Sequence, residues 1–191
     1  MPRPREFDYE QALDGAMELF WANGYEGTSL SDLEVALGVG RQSLYNVFGD
    51  KRHLFLASLD RYRRQASEAL TRLASGDGGI DAIRDYFHTS VDLLAGHGDR
   101  RGCFVARSLV DHGQQDREVA QRCNASNQHI EDSLTTALRT AHARGEIGSD
   151  VPIEATARAL TAQLSGLSVL VRGYATKAEL KEAVDALLDR L

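Results

Sequence analysis

Apolar residues recur along this chain at the three- and four-residue spacing of amphipathic helices, and no stretch reads as a strand over more than four residues. The pattern predicts about nine helices and no sheet, which is an all-α fold. Asn23-Gly24 is expected to end the first helix, and Thr28 or Ser29 to cap a short second one. Gly38 then turns the chain into a short third helix, and Asp50 can cap a long fourth helix.

The second half of the chain continues the helical pattern, and its eighth helix carries two stripes. Asp150 is expected to cap this helix with Pro152 in its first turn, and the capping box Thr176–Glu179 opens the last helix. One stripe is large: Ile153, Leu160, Leu164, Leu167 and Val171. The other is small: Ala155, Ala159, Ala162, Gly166 and Gly173. Such a helix can bury one stripe internally and bring the other close to a partner helix, which predicts a homodimer.

The composition is that of an ordinary soluble globular protein, with 42% apolar and 26% charged residues among 191. No run approaches the roughly 18 apolar residues of a membrane span, and the first ten residues lack the apolar core of a signal peptide. The chain is therefore expected in the cytoplasm. Neither the cysteines nor the histidines have the spacing of metal ligands, and no catalytic constellation is convincing, so the sequence predicts no metal, no cofactor and no enzyme.

The net charge of −6 hides one basic segment. The segment from Val39 to Arg64 contains six arginine and lysine residues and only two aspartates, which is a local surplus of four positive charges. Arg3 and Arg5 add a small basic arm at the N-terminus. An acidic body with one basic segment indicates a protein that meets DNA at one end only.

The segment from Thr28 to Leu54 has the layout of a helix-turn-helix, because two short amphipathic helices flank a tight turn at Gly38. Most positions of the second helix carry hydrogen-bonding side chains: Arg41, Gln42, Ser43, Tyr45 and Asn46. Arginine reads guanine, glutamine and asparagine read adenine, and serine and tyrosine reach phosphates. No acidic residue occurs between Glu34 and Asp50, although a merely solvated helix would favour glutamate and lysine.

These residues resemble the signature of the TetR/AcrR family of transcriptional regulators. The matching motifs are Thr28-Ser29-Leu30, Ala36-Leu37-Gly38-Val39, Leu44-Tyr45-Asn46-Val47-Phe48 and Lys51, together with Ala16, Leu19, Phe20, Gly24 and Tyr25 upstream. The specific match covers about residues 9 to 60. Gly40 departs from it, standing where a capping serine or threonine is usual. Val47 also departs, replacing the common histidine or tyrosine.

The resemblance implies a ligand-responsive regulator, by default a repressor released from its DNA operator by a small organic effector. Its DNA-binding domain would span residues 1–50, and its effector-binding and dimerisation domain residues 51–191. Tyr45 and Lys51 would contact phosphates, and Thr28 would be a further DNA contact that helps to pin the backbone. Arg41, Gln42, Ser43 and Asn46 would face the major groove. Arg3 and Arg5 of the basic arm are also expected to bind DNA. The last two helices of each subunit would form a four-helix dimer interface, with Val184 and Leu187 joining the small-residue stripe.

An effector site is expected between the fifth, seventh and eighth helices, at the following residues: Phe87, Val91, Cys103, Arg107, Asn127, Gln163 and Leu167. Each has a plainer interpretation. Asn127 could be a satisfied core amide, Arg107 an ion-pair partner, and Phe87 and Gln163 core or interhelical residues. Cys103 and Cys123 fit either small core residues or a redox switch.

Two other classes of function compete with the repressor. The chain could be a helical enzyme or ligand carrier whose N-terminal helices are only scaffold, but such a protein has no need for the polar set on the third helix. It could also be a DNA-binding protein controlled by a protein partner, or one without an effector. Activation instead of repression is a further alternative. Binding to DNA beside its own gene, with and without candidate metabolites, discriminates among these functions.

Overall fold

The computed structural model describes residues 8–75, 78–96, 100–173 and 175–191, apart from the side chain of Glu68. These residues form nine α-helices and no strand, which confirms the predicted all-α class. The helices are α1 (Tyr9–Asn23), α2 (Leu30–Leu37), α3 (Arg41–Phe48), α4 (Lys51–Ala74), α5 (Gly79–Gly96), α6 (Phe104–His112), α7 (Arg117–Ala143), α8 (Ile153–Arg172) and α9 (Lys177–Leu188). In the part of the chain described, no helix combines the length and apolarity needed to cross a bilayer.

Most helix ends lie where the sequence signals place them. The Gly24 N–H bonds the Phe20 carbonyl at the end of α1. Capping boxes open α2 (Ser29 with Asp32) and α9 (Thr176 with Glu179), and the Asp50 carboxylate accepts the His53 N–H at the start of α4. Each cap satisfies backbone groups that the helix itself leaves without partners.

The predicted start and stripe of α8 need two corrections. Pro152, not Asp150, is the N-cap residue, and no side chain accepts a hydrogen bond there. The Pro152 backbone is extended and its carbonyl accepts the Thr156 N–H, so the proline lies just outside the helix and not in its first turn. Gly173 follows the helix as its C-cap and is not part of the small-residue stripe.

The chain divides into two compact units, Met1–Gln65 and Ala66–Leu191, and the division falls inside α4. In the first unit, α1, α2, α3 and the first half of α4 enclose a core that includes Leu13, Phe20, Leu33, Leu44, Phe55 and Leu59. Phe55 packs against the rings of Phe20 and Tyr25, with centroids 5.2 and 5.0 Å away. The functional division at residues 50 and 51 stays a prediction.

The second unit is built around α5, which packs against α7, α8 and α9. Its core includes Ile83, Phe87, Val91, Leu134, Leu138, Leu160, Leu167, Val171, Leu180 and Val184. Arg84 of α5 also forms ion pairs with Asp185 of α9 at 2.6 Å and with Asp189, the C-cap residue of α9, at 2.7 Å. The hydrogen bond from the Arg84 guanidinium lowers the pKa of the Asp185 carboxyl.

Candidate nucleic-acid interface

The turn between α2 and α3 is built by glycine. Gly38 is left-handed, with φ of 65°, and its N–H bonds the Glu34 carbonyl, which ends α2. A side chain is strained in this conformation, and glycine adopts it freely. Leu33 of α2 and Leu44 and Phe48 of α3 are the buried residues of these two eight-residue helices, so they fix how the pair packs.

Five of the six remaining side chains of α3 form an exposed polar surface. Arg41, Gln42, Ser43, Tyr45 and Asn46 all lie on it, as the sequence predicts. The Gln42 Nε2 donates to the Asn46 Oδ1 at 3.0 Å, so the two amides lie side by side one turn apart. Val47 is also exposed, at 42% of its surface, and supplies no polar group. Five hydrogen-bonding side chains on one short helix can address base edges and phosphates together.

Glu34 is a participant that the sequence did not reveal. Its Oε1 accepts the backbone N–H of Arg41 at 2.6 Å, and its Oε2 lies 3.3 Å from the Arg41 guanidinium. The carboxylate therefore stands at the positive end of α3, where Gly40 provides no side-chain cap. The two residues are seven apart across a turn, a separation that no local capping pattern covers.

Lys51 begins α4 with its ammonium 4.2 Å from the centre of the Tyr25 ring. The ring face attracts the cation and so restricts where the lysine head can lie. Lys51 also contributes to lowering the pKa of Asp32, after the larger effects of hydrogen bonds from the Ser29 hydroxyl and N–H. Lys51 thus lies close enough to the first turn of α2 to act on Asp32, and the sequence did not indicate its contact with Tyr25.

Thr28 does not fit its predicted role as a DNA contact. Its side chain is fully buried, and its hydroxyl donates to the Gly24 carbonyl at 2.8 Å. A buried hydroxyl already engaged in this way cannot reach a phosphate. Thr28 instead pins the protein's own backbone between α1 and α2. The other predicted contacts in this region, Arg3 and Arg5, lie outside the described residues.

The basic segment presents less positive charge than its composition suggests. Arg61 bonds Asp14 at 2.7 Å and Glu10 at 2.6 Å, which ties α4 to α1 and raises the pKa of Arg61. Arg63 bonds Asp60 at 3.1 Å. With the pair of Arg41 and Glu34, at least three of the six positive charges therefore lie against carboxylates within the same unit.

The predicted effector residues fall into two groups in the second unit. Phe87, Val91 and Leu167 are fully buried in its core, so no water-sized space adjoins their side chains. Asn127 and Gln163 are half-buried, and neither side chain forms a hydrogen bond with another residue that the structure describes.

The two remaining predicted effector residues lie on or beside α6. Cys103 is the half-buried N-cap residue of this helix. Arg107 forms an ion pair with Asp111 at 3.4 Å, which is the plainer of the two interpretations that the sequence allows for it.

A groove of about 430 Å³ lies elsewhere in this unit, between α4 and α5. Arg72, Leu73, Asp85, Tyr86 and Thr89 are among its lining residues. Burial raises the pKa of Tyr86, so its hydroxyl stays protonated. No pattern in the sequence indicates this groove, because its lining comes from two helices without a shared motif.

The predicted dimer residues differ in how exposed they are. The small-residue stripe is exposed along α8 at Ala155, Ala159, Ala162 and Gly166. Leu187 is half-buried against the core. Val184 is fully buried in that core, so its predicted contact with a partner is wrong. The apolar face of α9 at Val184 packs against helices of the same subunit.

Comparison with protein families gives two matches along the chain. The model described as bacterial regulatory proteins, tetR family, matches residues 12–58. The model described as a tetracyclin repressor-like C-terminal domain matches residues 79–187. The first match contains α2 and α3 whole, and the second contains α5, α6, α7 and α8 whole.

Individual relatives cover nearly the whole chain. YezE, an uncharacterized HTH-type transcriptional regulator of Bacillus subtilis (strain 168), is 34% identical, with 100% of both chains covered. The HTH-type transcriptional repressor ComR of Escherichia coli (strain K12) is 32% identical over 94% of this chain and 87% of its own. A cysteine mutant of the TetR family regulator CifR, complexed with a 26-bp double-strand operator DNA, superposes with a TM-score of 0.86. It is 27% identical, and 98% of each chain is covered.

Proposed function

The chain belongs to the tetR family of bacterial regulatory proteins, and we propose that it is a transcriptional repressor that binds operator DNA as a homodimer until a small organic effector releases it. One observation carries the DNA-binding part. The short helix α3 follows a glycine turn, buries only Leu44 and Phe48, and exposes five hydrogen-bonding side chains. An enzyme or a ligand carrier has no use for such a surface.

The DNA contacts of this surface have two different roles. Arg41, Gln42 and Asn46 read base edges, because their side chains form the donor and acceptor pairs that distinguish guanine and adenine. Tyr45 and Lys51 supply affinity that does not depend on sequence. Ser43 lies on the same surface and can serve either role. A homodimer places two α3 helices in successive turns of the major groove, about 34–36 Å apart.

The two roles give opposite results in a binding experiment. Gln42→Ala is expected to lose about 1–3 kcal/mol of discrimination between the operator and other DNA, because a bidentate base contact is lost. Lys51→Ala is expected to weaken binding to all sequences and to reduce the slope of log affinity against log salt by about one unit. Fluorescence anisotropy with DNA from beside the protein's own gene, at several salt concentrations, measures both effects.

Two control variants accompany these measurements. Gln121→Ala truncates an exposed glutamine on α7, and Lys177→Ala removes one positive charge at the start of α9. Both should bind operator as the unmodified protein does. A Lys51→Ala variant that changes which sequence is preferred would contradict the division of roles. Absence of any sequence preference in the unmodified protein would contradict the proposed function itself.

The effector is proposed to bind in the second unit beside Asn127 and Gln163. Both amides are half-buried and have no side-chain partner among the described residues, so they can anchor an otherwise apolar ligand. Phe87, Val91 and Leu167 are closed in the core, and a ligand that reaches them must open it. Because α4 belongs to both units, a shift of its second half is transmitted along the same helix towards Lys51.

Asn127→Leu is expected to keep operator affinity and to lose the response to the effector. A ligand that prefers the released conformation by about 1–3 kcal/mol weakens DNA binding roughly 5- to 150-fold, and this factor should fall towards one in the variant. The measurement is operator affinity with and without an inducing compound, found by screening small uncharged or singly anionic molecules. Asn124→Leu, at an exposed position on the same helix, should respond normally. A full response in Asn127→Leu would exclude this site and direct attention to the groove at Tyr86.

A further inference from the structure

The helix that carries the proposed base contacts begins without a cap of its own. Gly40 is the N-cap residue of α3 and has no side chain to accept a hydrogen bond. Its carbonyl accepts the N–H groups of Ser43 at 2.9 Å and Leu44 at 3.2 Å. The first N–H of the helix, that of Arg41, finds its acceptor in the Glu34 carboxylate at 2.6 Å.

Glu34 accepts hydrogen bonds from both sides of the turn between α2 and α3. Its backbone carbonyl accepts the Gly38 N–H at 3.0 Å and so ends α2. Its side chain contacts Arg41 twice, through the backbone N–H and through the guanidinium at 3.3 Å. The carboxylate is also the less exposed partner, since the side chain of Glu34 is 27% exposed and that of Arg41 is 52% exposed. Arg41 therefore pairs with a carboxylate that is less exposed than itself, and about half of the arginine side chain stays accessible to solvent.

We propose that Glu34 is a positioning residue that orients Arg41 for base recognition and thereby sets how sharply the protein distinguishes its operator from other DNA. The inference rests on the proposed function, because it assigns a role within the same DNA-binding surface. The guanidinium has five N–H donors, so a bond to Glu34 leaves others for guanine. An arginine already held in place loses less side-chain freedom when it binds.

The charge of Glu34 also has an effect that does not depend on sequence. A carboxylate beside the recognition helix repels phosphates, which weakens binding to any DNA. Because operator and other sequences share this penalty, it cancels from the ratio of their dissociation constants. That ratio therefore measures the orienting role of Glu34.

The test is a double-mutant cycle on the full chain, with an operator selected from random duplexes by the unmodified protein. The measured quantity is the ratio of dissociation constants for scrambled DNA and for operator. Arg41→Ala should lower this ratio roughly 5- to 150-fold, the range expected for one bidentate base contact. Glu34→Ala should lower it too, and the double variant should lose no more than Arg41→Ala alone. Losses that multiply in the double variant, or an unchanged ratio in Glu34→Ala, would overturn the proposal.

A third substitution separates positioning from simple capping. The N-cap backbone at Gly40 is extended, with φ of −74°, and a Cβ there would meet nothing within 4 Å, so serine fits. Gly40→Ser added to Glu34→Ala should restore any melting temperature lost with the carboxylate, because serine caps the helix directly. It should not restore the ratio, since serine at this place cannot hold the Arg41 guanidinium. Full recovery of the ratio would mean that Glu34 acts only through the helix start.

A control variant and the operator selection itself distinguish failure of the role of Glu34 from failure of the proposed function. Glu26→Gln removes one exposed carboxylate from the same unit and should leave the ratio unchanged; a loss equal to that of Glu34→Ala would overturn the proposal by showing a general charge effect. If the unmodified protein selects an operator but Glu34 and Arg41 act independently, only the role of Glu34 is wrong. If it selects no sequence at all, the proposed function and this inference are both wrong.

Discussion

Replacement of Phe87 by alanine is expected to lower the free energy of unfolding by about 3–5 kcal/mol, the cost typical of truncating a buried aromatic residue. Phe87 lies in the middle of α5, is fully buried, and belongs to the cluster that also contains Val91, Leu134 and Leu167. Alanine would remove the ring and leave a void that tightly packed neighbours fill only in part. Unfolding in urea, followed by circular dichroism, measures the change as a lower midpoint.

Leu93→Ala is the matched control on the same helix, because the Leu93 side chain is 57% exposed. Its cost should stay within about 0.5 kcal/mol, as for most surface substitutions. A cost below about 1 kcal/mol for Phe87→Ala would contradict the closed core and restore Phe87 as the wall of an existing pocket. Loss of an effector response in Phe87→Ala would therefore not by itself identify a ligand contact, and the comparison of Asn127→Leu with Asn124→Leu is the cleaner test.

Signals carried within one helix turn were sufficient to place most of the fold. Ser29 and Asp32, or Thr176 and Glu179, are three residues apart and close their hydrogen bonds with little help from the rest of the chain. The glycine at position 24 likewise ends α1 through a bond to a carbonyl four residues earlier. Because such interactions are local, the amino-acid sequence around each helix end is almost enough to predict them.

Features that depend on distant parts of the chain were not predictable in the same way. Lys51 contacts the Tyr25 ring although two helices, α2 and α3, separate the two residues along the chain. Thr28 belongs to a family motif, yet only the packed structure shows that its hydroxyl points inward to Gly24. Val184 illustrates a further limit: periodicity identifies an apolar face but does not say whether the same subunit or a partner covers it.

The small-residue stripe of α8 gives the second large effect. Replacement of Gly166 by leucine is expected to weaken the homodimer and operator binding together while leaving the single chain folded. Gly166 is exposed, and a Cβ there would meet nothing within 4 Å, so the subunit itself accommodates a larger residue. Leucine is also the better helix former by roughly 1 kcal/mol. Any loss must therefore arise from the partner.

The size of that loss follows from the symmetry of the proposed interface. A two-fold interface contains each substitution twice, and overpacking a close contact costs about 1–3 kcal/mol, so the dimer should lose about 2–6 kcal/mol. This corresponds to a dissociation constant raised roughly 30- to 25,000-fold. Operator affinity should fall with it, because a single short recognition helix does not hold a specific site by itself.

Sedimentation equilibrium measures the dimer constant, and anisotropy measures operator binding on the same samples. Ala125→Leu enlarges an exposed alanine on α7, outside the stripe, and should change neither quantity. Gly166→Ala adds a single methyl group and should give a smaller loss than leucine, because a closely approaching helix tolerates the methyl better than the longer branch. A Gly166→Leu protein that remains a dimer with unchanged operator affinity would place the interface away from Ala155, Ala159, Ala162 and Gly166. In that case the exposed stripe would need another partner.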